Sequence, residues 1–147
     1  SPMNGEFVLL ENINNATFAQ KLLGDGVAIV PSEGKVYSPV NGTVQVMFKT
    51  GHAIGLLSDN GDELLIHVGM DTVKLEGRGF SPKVKDGDKA TKGQLLLEFD
   101  RELLIKEGFD ITTPIIVTNL AVTNKTIDCS LYEGLEIVKG QKLFDLN

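Results

Sequence analysis

Cysteine, histidine and long apolar runs are all scarce in this chain of 147 residues. Cys129 is the only cysteine, which excludes an intrachain disulfide and a thiolate metal cage. Its neighbours read as a strand, so we predict a small packing residue in a protein of a reducing, cytoplasmic compartment. No apolar segment approaches the roughly 20 residues of a membrane-spanning helix, and no secretory signal is visible.

Positive charge is also in short supply. The chain has 14 lysines and arginines against 20 aspartates and glutamates, a formal net charge of −6. Nucleic-acid binding needs a clustered cationic surface, so we expect no nucleic-acid partner. The length suits one core, and we predict a single domain over residues 1–147. The 16 glycines are scattered along the chain and indicate many tight turns.

The chain does contain many short β-friendly segments bounded by Gly, Pro, Asn and Asp, which predicts an all-β antiparallel sandwich or barrel. The predicted strands are Phe7–Leu10, Val27–Val30, Thr43–Phe48, His52–Leu57, Glu63–Val68, Gln94–Phe99, Ile115–Thr118, Lys125–Cys129 and Leu143–Leu146. Short helical turns are predicted at Thr17–Leu23 and Arg101–Glu107, each followed by a glycine.

Two sequence fragments occur twice. Ser1-Pro2-Met3-Asn4-Gly5 returns as Ser38-Pro39-Val40-Asn41-Gly42. Lys92-Gly93-Gln94 returns as Lys139-Gly140-Gln141, and both copies lead into a run that ends in Phe-Asp. We predict a duplicated β unit whose two copies close around one core. Such closure also removes exposed strand edges.

The two histidines, His52 and His67, both lie in apolar, strand-like segments. Between them, residues 58–62 (Ser-Asp-Asn-Gly-Asp) predict a hairpin turn. A two-residue turn at Asn60-Gly61 would place His52 opposite Gly69, and the two imidazoles would then be diagonal neighbours on one face. A loop with an odd number of residues would put them on opposite faces. We predict the even loop and a histidine pair.

Such a pair could serve as a metal site, an acid–base pair, or a nucleophilic histidine with a supporting histidine. Gly51, Gly55 and Gly69 flank it and leave bare backbone where another group could approach. His67 and Asp71 have the spacing of two ligands in lysostaphin-like zinc peptidases. Those sites need a third protein ligand from a later histidine, and none follows in this chain. We therefore predict no metal site within this chain alone, whereas a zinc ion shared by His52, His67 and a carboxylate of a partner stays an alternative.

A nucleophilic histidine has fewer requirements. Neutral imidazole carries a free ring nitrogen near pH 7 and can accept a phosphoryl group whose oxygens find hydrogen-bond donors. Thr50, two residues before His52, offers a hydroxyl on the same face, and backbone amides around Gly69 are further candidates. Gly24-Asp25-Gly26 lacks the Lys-Ser or Lys-Thr of a nucleotide-binding loop. The phosphate donor would then be another protein or a small metabolite, without a bound cofactor.

Several motifs in the right order resemble the glucose-type EIIA domain of the bacterial phosphoenolpyruvate-dependent sugar phosphotransferase system. The similarity runs from Ser1 to at least Asn119. Its motifs are Gly24-Asp25-Gly26-Val27-Ala28-Ile29, Ser38-Pro39-Val40-Asn41-Gly42, His52-Ala53-Ile54-Gly55, Leu65-Ile66-His67-Val68-Gly69-Met70-Asp71-Thr72-Val73, Gly77-Arg78-Gly79-Phe80 and Thr113-Pro114-Ile115-Ile116-Val117-Thr118-Asn119. The resemblance implies a barrel-sandwich hybrid, which is an antiparallel β-sandwich with short helical turns.

The resemblance also implies roles for individual residues. In such domains the histidine matching His67 accepts the phosphoryl group from phospho-HPr, as a tele-phosphohistidine, and passes it to the sugar-specific EIIB domain. The residue matching His52 hydrogen-bonds the phosphoryl group, Thr50 supports it, and Gly69 and Asp71 flank the site. An apolar collar docks the partners, and its matching residues are Phe18, Leu22, Leu23, Phe48, Leu65 and Val73. By themselves those residues read as core.

The family resemblance sets further expectations. It implies no cofactor, regulatory protein targets besides HPr and EIIB, and contact with a membrane only through a permease. The chain is expected to be either the EIIA domain of a longer permease or a free-standing protein. The family often has an aspartate where this chain has Asn15. A lipoyl- or biotinyl-type carrier would need a modified lysine at a hairpin tip, which is absent, whereas a purely regulatory binding module stays an alternative.

Overall fold

A computed structural model describes all 147 residues, and most of its regular secondary structure consists of short strands. The strands are β1 (Gly5–Leu9), β2 (Asp25–Pro31), β3 (Lys35–Tyr37), β4 (Gly42–Met47), β5 (Ala53–Ser58), β6 (Glu63–His67), β7 (Phe80–Pro82), β8 (Lys89–Ala90), β9 (Leu95–Phe99), β10 (Thr113–Val117), β11 (Ile127–Asp128), β12 (Glu136–Ile137) and β13 (Asp145–Leu146). The helices are α1 (Ala16–Ala19), α2 (Arg101–Lys106) and α3 (Leu120–Thr123), with 3-10 turns at Leu10–Asn12 and Thr72–Leu75. None of these helices has the length and apolar character that crossing a bilayer requires.

Eight strands form one antiparallel sheet in the order β12-β1-β2-β10-β6-β5-β4-β8. Strands β3, β9 and β7 form a second sheet, and β11 pairs with β13. Alternate residues of the large sheet, such as Ile54 and Ile66, belong to one apolar cluster with Val36 and Leu97 of the second sheet. Opposed apolar faces of this kind are what hold a sandwich together. The predicted all-β sandwich is thus confirmed.

The large sheet is built from two similar halves. Strand β1 lies between β2 and β12, just as β4 lies between β5 and β8, and β10 and β6 meet at the centre. Both β1 and β4 begin at a glycine that approaches a neighbouring carbonyl very closely. A Cβ on Gly5 would lie 2.2 Å from the Val30 oxygen, and one on Gly42 would lie 2.0 Å from the Leu57 oxygen. Only glycine fits at either position.

The repeated Ser-Pro-x-Asn-Gly segments form two corners with the same hydrogen bonds. The Lys92 N–H donates to Asn41 Oδ1 at 2.8 Å, and the Lys139 N–H donates to Asn4 Oδ1 at 2.7 Å. In each corner the serine hydroxyl donates to the carbonyl two residues later, at 2.6 Å for Ser38 and 2.7 Å in the other copy. The predicted duplication is therefore confirmed down to its side-chain contacts.

Every predicted strand overlaps an observed one, but the ends and the shortest elements differ. Strands β3, β7, β8 and β12 were not predicted, because runs of two or three residues carry no usable periodicity. The helix predicted at Thr17–Leu23 is shorter: α1 ends at Ala19, and Lys21 adopts a left-handed φ of 59° that no α-helix continues. Cys129 packs against the core with its thiol on the Leu143 carbonyl, as the packing prediction requires.

Candidate functional site

The β5–β6 hairpin carries the histidines, and its register differs from the predicted one. Ala53 pairs with His67, so the connecting loop Asp59–Gly61 has an odd number of residues. The predicted even loop, with His52 opposite Gly69, is wrong. Gly61, the last loop residue, has a left-handed φ of 88°. The glycine of an Asn-Gly pair adopts this conformation in three-residue loops as well as in two-residue ones, so the pair does not reveal the loop length.

The two imidazoles nevertheless lie side by side, with ring centroids 4.9 Å apart and planes at 82°. His52 lies just outside β5, after Gly51 has turned the chain with φ of 71°. Strand alternation therefore does not govern the direction of His52. Its carbonyl still accepts the Val68 N–H at 2.7 Å, which ties the end of one strand to the other. The predicted histidine pair is confirmed, although its local geometry is different.

His67 is half-buried at the end of β6, and its ring is held at Nδ1. That nitrogen lies 2.8 Å from the carbonyl oxygen of Gly69. Because a carbonyl can only accept, the neutral ring carries its proton on Nδ1 and keeps the lone pair on Nε2. Gly69 has φ of 76°, and a Cβ there would lie 2.6 Å from the Thr72 methyl carbon. Glycine is needed for this carbonyl to turn back onto the ring.

His52 is buried, with only 4% of its surface exposed, and its Nδ1 is hydrogen-bonded to the Thr50 hydroxyl. A neutral imidazole that accepts at Nδ1 carries its proton on Nε2. Gly51, between the two residues, lies against β7, where a Cβ would come within 2.9 Å of the Phe80 Cβ. The close packing of this turn on β7 keeps Thr50 and His52 on the same side.

Both imidazoles are poised in the neutral form at pH 7. Burial, with a smaller contribution from the charge of His67, lowers the pKa of His52 to about 4. Burial also lowers the pKa of His67. The Gly69 carbonyl and the carboxylate of Asp71, an exposed residue with φ of 60°, act on His67 in the opposite direction. Only the neutral ring presents a nucleophilic lone pair.

Two phenylalanine rings border the pair. The Phe18 ring lies 5.2 Å from that of His67, and the Phe48 ring lies 5.4 Å from that of His52, edge-on. Phe48 is 38% exposed, whereas Phe18 is only 5% exposed and packs with Ile116 and Met70 in a small apolar cluster on the outer face of the sheet. Phe18 thus forms a wall of the site and offers little surface of its own.

The other predicted collar residues are more accessible. Leu22 and Leu23, in the turn after α1, and Val73, in the 3-10 turn after the His67 segment, are exposed. Leu65 is half-buried on β6, two residues before His67 and on the same face. Large apolar side chains left in water around a functional group commonly mark a surface that another protein covers.

Val46 belongs to the same exposed surface, and the sequence did not reveal it. It is 39% exposed, and its side chain lies over Gly55, where a Cβ would come within 2.9 Å. Alternation from the buried Val44 would place Val46 inside the sandwich. Gln45 and Val46 instead face the single residue Gly55, and this bulge turns Val46 outward. Gly55 was the available signal, because a strand glycine often marks such a close approach.

Asn15 begins α1, the helix that carries Phe18. Its side chain accepts the Thr17 N–H at 3.1 Å, which is the usual N-cap contact. Asparagine and aspartate cap helices about equally well. An aspartate at this position would therefore cap α1 as Asn15 does and would add one negative charge near the site.

Fold and site together define a β-sandwich protein with two neutral imidazoles in contact at an apolar surface. The family model of the phosphoenolpyruvate-dependent sugar phosphotransferase system, EIIA 1, matches residues 1–123. The chain belongs to this family of phosphotransferase components, and it is a glucose-type EIIA.

Three relatives show how far the similarity extends. The chain is 42% identical over 147 residues to the PTS system glucose-specific EIIA component of Staphylococcus aureus, covering 99% of this chain and 87% of that protein. It is 54% identical over 119 residues to the PTS system beta-glucoside-specific EIIBCA component of Dickeya chrysanthemi; the match covers 81% of this chain but only 19% of that longer protein. The solved glucose permease IIA from Mycoplasma capricolum superposes with a TM-score of 0.88 at 32% identity, covering 98% and 91% of the two chains.

Proposed function

We propose that this chain carries a phosphoryl group on Nε2 of His67, taken from phospho-HPr and passed to an EIIB domain. The single observation that carries the proposal is the contact of His67 Nδ1 with the Gly69 carbonyl, because it leaves Nε2 as the free nucleophile. Membership of the family indicates the class of reaction, and the geometry of the β5–β6 hairpin indicates that Nε2 is the atom that reacts.

The step balances with the groups at hand. The Nε2 lone pair attacks the phosphorus of phospho-HPr, a nitrogen–phosphorus bond forms, and the bond to the donor atom breaks with its electron pair returning to HPr. The ring of His67 then gains positive character, which the Gly69 carbonyl and the Asp71 carboxylate favour. In transfer to EIIB, an acceptor atom of that domain attacks the phosphorus, and the nitrogen–phosphorus bond breaks with its electron pair returning to Nε2 of His67.

His52 is the nearest donor for the phosphoryl oxygens. With the Thr50 hydroxyl donating to Nδ1, the ring carries its proton on Nε2, and it contacts the ring of His67. Burial keeps His52 neutral at pH 7, so this donor is present without an unpaired charge. A preorganised donor aimed at developing negative charge speeds transfer without reorganisation during the reaction. Thr50 acts through His52, as its support.

The exposed apolar residues around the site are the proposed docking surface for HPr and EIIB. Leu22, Leu23, Phe48 and Val73 would be covered in either complex, with Val46 added from the bulge. Phe18 and Leu65 shape the floor of this surface. Regulatory proteins, where they exist, would bind the same surface and compete with HPr.

We also propose that the chain works at the cytoplasmic face of a membrane, next to the sugar permease that its acceptor belongs to. Residues 1–147 would act as one domain, either free-standing or joined to EIIB and the permease. Relatives of both kinds match the chain, as a glucose-specific EIIA component and as part of an EIIBCA component. The sugar would be read by the other domains.

Single-turnover transfer from phospho-HPr tests the proposal, with His67→Ala and His52→Ala alongside the wild type. We expect His67→Ala to take no phosphate, and His52→Ala to take it but to lose most onward transfer to EIIB. Phe48→Ser should raise the HPr concentration needed for half-maximal transfer. Val122→Ser is the matched control, because Val122 is also an apolar residue and is 85% exposed. It lies on α3, which follows the end of β10 that pairs with Leu64, at the other end of β6 from His67. A folded wild type that takes no phosphate would refute the proposal.

A further inference from the structure

The segment after β6 holds the Gly69 carbonyl against His67 by means of a sharp turn. Gly69 and Asp71 both have left-handed backbones, with φ of 76° and 60°. The Gly69 carbonyl turns back to a ring two residues earlier. It can hold that ring only if the peptide groups on both sides of Gly69 are fixed. The neighbouring hydrogen bonds show how this is achieved.

Thr72 fixes the peptide group before Gly69. Its side chain is fully buried, and its hydroxyl donates to the Val68 carbonyl at 2.5 Å. Its methyl carbon occupies the space beside Gly69 where a Cβ would otherwise lie, 2.6 Å away. One side chain therefore holds the turn both by a hydrogen bond and by contact.

Asp110 fixes the peptide group after Gly69. Its carbonyl accepts the Met70 N–H at 2.9 Å. Its carboxylate in turn accepts the Thr112 N–H at 2.9 Å and the Thr112 hydroxyl at 2.7 Å, which sets the direction of that carbonyl. Asp110 acts through its backbone, so Thr72 is the only one of the two anchors that a side-chain substitution can remove cleanly.

We propose that Thr72 is a positioning residue for His67: through the Val68–Gly69 turn it selects the Nδ1–H tautomer and thereby makes Nε2 the phosphoryl acceptor. This rests on the proposed carrier function, and it adds a residue that touches neither imidazole. Without the hydroxyl, the Gly69 carbonyl keeps only the anchor on its own peptide group, the bond from the Met70 N–H to Asp110. Its aim at the ring then loosens, and the ring can place its proton on either nitrogen.

The test uses Thr72→Val, which keeps the shape and loses the hydroxyl, and Thr72→Ser, which keeps the hydroxyl. Nitrogen-15 spectra of the unphosphorylated chain report the tautomer and the pKa of His67. We expect Nδ1–H in the wild type and in Thr72→Ser, and a mixture of tautomers in Thr72→Val. The pKa of His67 should fall further in Thr72→Val, because the Gly69 carbonyl raises it. Acceptance of phosphate from phospho-HPr should slow by about 10-fold, as for other small losses of alignment.

Ser38→Ala is the matched control. Ser38 is also buried and donates its hydroxyl to a carbonyl, that of Val40, but it lies in a repeated corner outside the site. It should lower stability while leaving the tautomer and the rate unchanged. If Thr72→Val does not fold, Thr72→Ala against Thr72→Ser makes the same comparison. A folded Thr72→Val with the wild-type tautomer, pKa and rate would overturn the proposal. Failure of the wild type to accept phosphate would refute the carrier function alone, since the tautomer is measured without phosphate.

Discussion

The two halves of the large sheet share one strand plan, but only one of them holds a histidine pair. Strands β10 and β6 are counterparts in the two halves, and their pairing of Ile115 with Ile66 lies at the centre of the sheet. The next residue of each strand, Ile116 in β10 and His67 in β6, therefore occupies the same position in its half. By the same reasoning Val117 corresponds to Val68. Val117 pairs with Asp25, and the Val68 N–H donates to the His52 carbonyl. Asp25 therefore corresponds to His52.

The difference between the halves lies in what connects their strands. Residues 10–24 join β1 to β2 and include α1, which covers Ile116 with the Phe18 ring. Only residues 48–52 join β4 to β5, and this short turn leaves His67 half-exposed. Phe18 contacts both positions, one as a cover and the other as a wall. The duplicated corners build the scaffold, and the site lies where the two copies differ.

The largest effect is expected from making the two halves alike. His67→Ile places in β6 the residue that the other half already has at this position. The fold should remain, because the position is only half-buried and β-branched residues suit strands. Phosphoryl acceptance should vanish, because the nucleophile is gone. Intact mass after incubation with phosphoenolpyruvate, enzyme I and HPr checks this. A phosphorylated His67→Ile chain would place the acceptor elsewhere.

The next effect is a loss of stability with no loss of phosphoryl transfer, and it is expected in one of the two repeated Ser-Pro-x-Asn-Gly corners. Gly42→Ala forces a Cβ to 2.0 Å from the Leu57 carbonyl oxygen, so the strands must separate. We expect a loss of about 3 kcal/mol in the free energy of unfolding, measured with urea. Gly61→Ala is the control: Gly61 has a left-handed backbone, which Gly42 does not, but it has open space around it. The substitution there tests backbone strain without a clash and should cost about 1 kcal/mol. Equal losses in the two variants would contradict this reading of the corners.

A smaller effect is expected from acid, and below about pH 6 it should come from the histidine site. The pKa of His52 is about 4 in the folded chain, below the ordinary 6.5, so the unfolded chain binds more protons between these values. Stability from this group is fully present above pH 6.5 and is lost as the pH falls towards 4. Urea titrations across this range should show a weaker pH dependence for His52→Gln than for the wild type. An unchanged slope would argue against the burial of a neutral His52.

The smallest effect is expected at Asn15. Asn15→Asp should leave stability within about 0.5 kcal/mol, because both residues cap α1 equally well. The added negative charge should change the rate of encounter with HPr at low salt, and the change should disappear at high salt. Transfer rates at two ionic strengths measure this. A rate change that survives high salt would point to altered packing of Phe18 and not to charge.

The strands, the duplication and the histidine pair could be predicted from the sequence, because each has a local signature: β-friendly runs, repeated motifs, and two rare side chains near one hairpin. The loop parity could not, since Asn60-Gly61 suits loops of either parity. Val46 was hidden by a bulge, which alternation does not reveal. The burial of Phe18 depends on how α1 folds over Ile116, and a contact between distant segments leaves no local pattern.

The most direct measurement is to locate the phosphoryl group on the wild-type chain and determine which ring nitrogen carries it. After transfer from phospho-HPr, fragment mass spectra identify the residue, and nitrogen-15 shifts identify the nitrogen. We predict one acid-labile group on Nε2 of His67, with Nδ1 still donating to Gly69. A group on Nδ1, on His52 or on no residue of the folded chain would contradict the role given to this hairpin.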